Sequence, residues 1–245
     1  MTLKVHNWVL SLLIIAILVI GGCSEKDTNS ASSQTKDTVK IGVVLPLTGG
    51  AAFIGEGMRD AMQLALEELQ GGKYNYNLIF EDDGLDPKKS SSAAQKLIFV
   101  DNVDAIVSVT SGTGNIVSPY AQENNVLHIG IASDLKVADG GYNFIHWTSP
   151  QEESRVFVEE LKNRGLKNLA VIELNQQGVK AIVDGLSQRL EGTDVELKRY
   201  LFNFGEKDFK TQLLKAEKQS PDIILLMAFS PELELIAKQK EELGI

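Results

Sequence analysis

The segment Thr110-Ser111-Gly112-Thr113-Gly114 sets hydroxyls and glycines between an apolar run and a stretch of helical period. Backbone N–H groups at a helix start lack partners within the helix. Together with the Ser111 and Thr113 hydroxyls they form a ready-made carboxylate site. Each charge-assisted hydrogen bond there contributes about 1.5–3 kcal/mol. The same residues suit a plain strand-to-helix turn capped by Thr113 or Ser111, and spacing alone leaves the two readings level. Ile131-Ala132-Ser133-Asp134 ends the next apolar run on the same rim, so Ser133 can share a ligand with Ser111 or simply end a strand. A rival chemistry is dinucleotide binding, because Gly112-x-Gly114-x-x-Val117 opens a helix and Asp134 ends the following strand. Val117 replaces the last small residue of that fingerprint, and the unit is the third along the chain rather than the first. The glycine-rich loop Thr48–Gly55 lacks the Lys-Ser/Thr of a phosphate loop.

Parts for catalysis are scarce. His6 lies in an apolar leader, His128 inside a strand pattern and His146 in a crossover region, a distribution that argues against a zinc site or a nucleophilic triad. The expectation is a protein that is not an enzyme, carries no cofactor and binds no metal. Glu81-Asp82-Asp83 reads as solvated loop charge, and Lys207-Asp208 as a helix start. Cys23 is the only cysteine. It follows the positive Lys4, the apolar run Val9–Ile20 and Gly21-Gly22, and Ile20-Gly21-Gly22-Cys23 resembles the lipobox of bacterial lipoproteins. The apolar run falls well short of the ~20 residues that span a bilayer, so residues 1–22 read as a cleaved signal and Cys23 as the lipidated residue. That places the chain in the cell envelope, anchored outside the cytoplasm.

Net charge of −9 argues against a nucleic-acid partner, which needs a basic face. Residues 23–38 contain no aliphatic side chain larger than alanine and read as a flexible tether. Beyond Val39, strand-like runs alternate with helical segments. Strands are expected at Val39–Leu47, Tyr76–Phe80, Ala105–Val109, Val126–Ile131, Phe144–Trp147, Leu169–Leu174, Val195–Tyr200 and Ile223–Met227. Helices are expected at Gly55–Gln70, after Asp86-Pro87, and at Ile116–Glu123, Val156–Arg164, Val179–Leu190, Phe209–Gln219 and Pro231–Leu243. Strict alternation predicts an α/β fold of parallel sheets with helices on both faces. A Gly-rich pause near Asp139-Gly140-Gly141 divides it into two lobes, residues 39–145 and 146–245.

Collinear segments carry a family resemblance: IGVVLPLTGGAAFIGEGMRDAMQLALEEL, EDDGLDPKKS, VTSGTGNIVSPYAQENNVLHIGIASD, TSPQEES and GEKDFKTQLLKAEKQSPDIILL. Together they resemble the periplasmic leucine/isoleucine/valine-binding protein family, the type I substrate-binding proteins of ABC importers. The resemblance implies two doubly wound lobes with an amino acid held between them, delivered to a permease driven by an ATPase, by a monomeric protein. It implies that Ser111 and Thr113, with Gly112 between them, hold the ligand carboxylate. Ala132 and Ser133 would contact ammonium and carboxylate, and Phe53 would wall the pocket. In the second lobe Gln177 stands where relatives place a tyrosine, and Phe229 fits a downstream aromatic position. The family's acidic partner for the ammonium lies further along than Ile245, so a C-terminally truncated chain is expected. Two other functions stay open: a ligand-sensing ectodomain subunit, and an exported NAD-dependent dehydrogenase.

Overall fold

The computed structural model describes residues 37–69 and 71–245. The leader, Cys23 and all but the last residues of the tether lie outside the described residues. Five parallel strands form the first sheet: β1 (Thr38–Leu45), β2 (Asn75–Asp82), β3 (Ala105–Val109), β4 (Leu127–Ile131) and β5 (Asn143–Ile145). Their spatial order is β2-β1-β3-β4-β5. The second sheet holds β6 (Asn168–Leu174), β7 (Glu196–Phe202) and β8 (Ile223–Met227) in the order β7-β6-β8, again parallel. Parallel strands are covered on both faces, which is why segments such as Ile41–Leu45 and Ile223–Met227 read as unbroken apolar runs. Along β1 the alternation is explicit. Val44 packs with Leu97, Ile106 and Val117, whereas Val43 and Leu45 meet Ile54, Met58 and Met62.

The helices follow from local signals. α1 (Ala52–Glu68) presents Ile54, Met58 and Met62 to the first sheet. It approaches so closely that a Cβ on Gly55 would lie 1.9 Å from the Pro46 carbonyl oxygen. α2 (Pro87–Lys96) is capped by Asp86, whose carboxylate accepts the N–H groups of Lys88 and Lys89, and proline occupies its first position. It runs on as a π-helical turn at Leu97–Asp101. α3 (Ser111–Glu123), α4 (Pro150–Arg164), α5 (Gln177–Leu190), α6 (Lys210–Glu217) and α7 (Glu232–Glu242) complete the set. In the second lobe Ile172, Leu174, Val183, Leu186, Phe202, Phe209, Leu213 and Ile236 share one core. Each such fully buried apolar side chain stabilises by about 1.5–3 kcal/mol.

Three differences from the sequence reading have clear causes. α3 begins at Ser111 rather than Ile116. Gly112 and Gly114 suggest a loop, but Gly114 lies within the helix and serves packing: a Cβ there would come within 2.8 Å of the Val137 side chain. α4 begins at Pro150 rather than Val156, because Ser149 caps it through the Glu152 N–H at 3.3 Å. Between Asp134 and Asp139 the chain makes a 3-10 turn, Leu135–Ala138, that apolar periodicity does not reveal.

Candidate functional site

Sheets of this order bring two neighbouring loops together where the crossovers diverge to opposite faces, and ligands bind there, beyond the carboxyl ends of the strands. In the first lobe that point lies between β1 and β3, so the loops 46–51 and 110–111 flank it. In the second it lies between β6 and β8, flanked by Asn175-Gln176 and the Phe229-Ser230 segment.

At the end of β3, Thr110 is the N-cap of α3, not Thr113 or Ser111. Its φ is 83°. A β-branched residue in that region of backbone space carries strain of about 1–3 kcal/mol, which neighbouring contacts must hold in place. Ser111 is 2% exposed, and its Oγ accepts the N–H groups of Ser133 and Asp134, each at 3.1 Å. The end of β4 is thereby tied to the first turn of α3, and Ser111 and Ser133 stand together as the sequence suggests. Ala132, 3% exposed, lies in the same tied segment.

Thr113 does something different from the expectation. Its hydroxyl donates to Asp83 Oδ2 at 2.5 Å, and that carboxylate also receives the Ser90 hydroxyl at 2.8 Å and the Leu85 N–H at 3.0 Å. Asp83 is fully buried. Thr113 therefore anchors α3 to the end of β2, and its hydroxyl is committed within the protein. Asp82 accepts the N–H groups of Leu47 (2.7 Å), Thr48 (3.2 Å) and Gly84 (3.0 Å) and the Thr48 hydroxyl (2.6 Å). Burial pushes its carboxyl up, but these donors outweigh it and hold the group below the usual range. Asp82 and Asp83 are thus structural acceptors rather than solvated loop charge, because the ends of β1, β2 and β3 present more N–H and hydroxyl donors than the strand ladders consume.

The second lobe meets this cluster at the start of α5. A Cβ on Gly178 would lie 2.8 Å from both Ser111 Oγ and Ser133 Oγ, so only glycine allows the approach. Gln177 Oε1 accepts a hydrogen bond from Asn115 Nδ2 at 2.9 Å, and its carboxamide is 4.0 Å from where a Gly112 Cβ would be. Ser111, Gly112, Ser133 and Gln177 are therefore gathered, together with Gly178 and Asn115, which the sequence reading did not select. Phe53 stands 43% exposed in the first turn of α1, and Phe229 stacks on Phe204 with centroids 6.5 Å apart; neither lines the α3–α5 cleft. Phe204 reaches the first lobe's glycine loop, its Cβ 3.7 Å from a Cβ placed on Gly50. It lies two residues past the end of β7, so the rule about loops beyond strand ends is the signal that would have found it. Between α3, the 3-10 turn and α5 lies a cleft of about 860 Å³. No group of three or more metal-ligating side chains occurs among the described residues, and no helix among them is long and apolar enough to cross a membrane.

A family profile described as periplasmic binding protein matches residues 38–245. The chain belongs to the periplasmic binding protein family. It is similar to the Leu/Ile/Val-binding protein BraC3 of Rhizobium johnstonii, 27% identical over 217 residues covering 84% of this chain and 59% of that one. It is also similar to the leucine-, isoleucine-, valine-, threonine- and alanine-binding protein of Pseudomonas aeruginosa, 25% identical and covering 87% and 60% of the two chains. The crystal structure of leucine binding protein LivK from Thermotoga maritima superposes with a TM-score of 0.75 at 28% identity, over 84% of this chain and 61% of that one. This binding protein thus spans about three fifths of the length of the relatives it matches, and its two parallel-sheet lobes have the type I fold.

Proposed function

We propose that this binding protein captures an amino acid between its lobes and hands it to the permease of an ABC importer, performing no reaction itself. The observation that carries the reading is the juxtaposition of Ser111, Ser133 and the start of α3 with the start of α5. Ser111 Oγ accepts two N–H groups and keeps its own proton to donate to a carboxylate oxygen. The first N–H groups of α3 add further donors and a favourable helix dipole. With Gly178 against both hydroxyls the lobes stand close together, so a solute enters only when they part. Closure on the solute is then driven by contacts it makes in the closed state alone.

The relatives' names point to small amino acids, and retention outside the cytoplasm by lipid on Cys23 belongs to the same reading. So do the lobe boundary at residues 145/146 and the monomeric state. Calorimetric titration of the purified protein with the twenty common amino acids tests it: saturable binding of at least one is expected, and binding of none overturns it.

A further inference from the structure

Gly178 is buried where the first turn of α5 meets the Ser111–Ser133 pair. A Cβ on it would stand 2.8 Å from Ser111 Oγ and 2.8 Å from Ser133 Oγ. That is too close for carbon, but it is the distance at which an oxygen accepts a hydrogen bond from a hydroxyl. A point from which one carboxylate oxygen would accept from both serines therefore lies a single bond length, about 1.5 Å, from Gly178 Cα. No oxygen sits there while α5 stays in place.

A hydrogen bond between the lobes holds α5 in that position. Asn115 Nδ2 donates to Gln177 Oε1 at 2.9 Å and to Asp134 Oδ2 at 2.9 Å, so the donor is steadied from within the first lobe. Asp134 is fixed in turn by its N–H, which donates to Ser111 Oγ at 3.1 Å. On the other side Gln177 opens α5, and the N-cap Gln176 accepts the Val179 N–H at 3.0 Å, which sets the first turn. The lobes also meet at a second place, where Phe204 Cβ lies 3.7 Å from a Cβ placed on Gly50. One term opposes the contact. Both helices bring the positive end of their dipole to it, and like ends repel. A carboxylate placed between them is favoured by both, so it gains in a parted arrangement what the present one denies it.

We infer that this contact is autoinhibitory: the start of α5 plugs the carboxylate place of the first lobe, latched by Asn115 and Gln177, and a solute binds only by displacing it. This rests on the solute-capture reading above. The loaded protein then closes on its solute with α5 further from α3 than it stands here. The apparent affinity is the intrinsic affinity reduced by the fraction of molecules already unplugged. Gly178 and Gln177 serve the plug, so weakening either one tightens binding, whereas a residue that only contacts the solute weakens binding when it is removed.

The test is calorimetric titration of the full chain with each of the twenty common amino acids, repeated for Gln177→Ala and Gly178→Ala, with X-ray scattering before and after each addition. Gln177→Ala removes the latch at an exposed position, and Gly178→Ala keeps the latch but puts a methyl group against the two serines. Each variant is expected to bind about two- to tenfold more tightly than the parent, because each lowers the plugged fraction. Adding an amino acid that binds is expected to increase the radius of gyration of the parent. Equal or weaker binding by either variant, or a parent radius that holds or shrinks on addition, overturns the plug and leaves solute capture standing. Binding of no amino acid by parent or variants overturns solute capture, and the plug with it.

Discussion

Ser111 Oγ receives two N–H groups and, among the described residues, donates to none, so replacing it has two separable effects. Ser111→Ala leaves the Ser133 and Asp134 N–H groups without their acceptor and is expected to lower stability by about 1–3 kcal/mol. On the proposed solute-capture reading it also removes a donor to the ligand carboxylate, and affinity for the amino acid should then fall ~tenfold or more in calorimetry. Thr113 separates the two effects. Its hydroxyl serves the buried Asp83, so Thr113→Val should cost about 1–3 kcal/mol in chemical denaturation. Thr113→Ser restores the hydrogen bond and most of the stability. The juxtaposition of Ser111 and Ser133 was legible in the sequence because both lie at the ends of predicted strands on one rim. That the Thr113 hydroxyl turns inward was not, because its partner Asp83 lies thirty positions away in the chain.

Among the elements, β3, β4 and β5 are joined by a buried polar chain. His128 accepts the Ser108 hydroxyl at Nε2 (2.7 Å) and donates from Nδ1 to Asn143 Oδ1 (2.9 Å). The tautomer follows from Asn143, whose amide nitrogen donates to the carbonyls of Ser118 and Asp139 and so turns its oxygen to the ring. His128 has no exposed surface, and burial, only partly offset by Asn143, pushes its pKa below the ordinary 6.5. The folded state therefore favours the neutral ring and the unfolded state binds the proton first. Stability is expected to be level above about pH 6.5, to fall as pH drops from there toward the depressed folded value, and to level off below it. Melting temperatures measured across that window check this, and in His128→Gln that part of the pH slope should vanish. The strand run around His128 is evident from apolar spacing. Its partners are not, because parallel pairing sets Ser108 and Asn143 beside it from strands that are distant in sequence.

For the whole molecule the decisive contact is Gly178 against Ser111 and Ser133. Gly178→Ala would place a methyl group 2.8 Å from both hydroxyl oxygens, closer than side-chain carbons approach. The lobes should then stand further apart, with a larger radius of gyration in X-ray scattering of the ligand-free protein, while the added Cβ leaves α5 itself at least as stable. An unchanged radius would mean that the two lobes do not rest on this contact. Composition, alternation of apolar runs and caps such as Asp86-Pro87 determined by themselves that the chain forms parallel sheets covered by helices, since those signals act over a few residues. The same local signals located the loops beyond the strand ends. Tertiary structure alone decided which hydroxyls in those loops are spent on Asp82 and Asp83. It also decided that Asn115, Asp134 and Gln177 share one cleft, because close packing of two lobes is set by complementary shape across distant segments that no local spacing records.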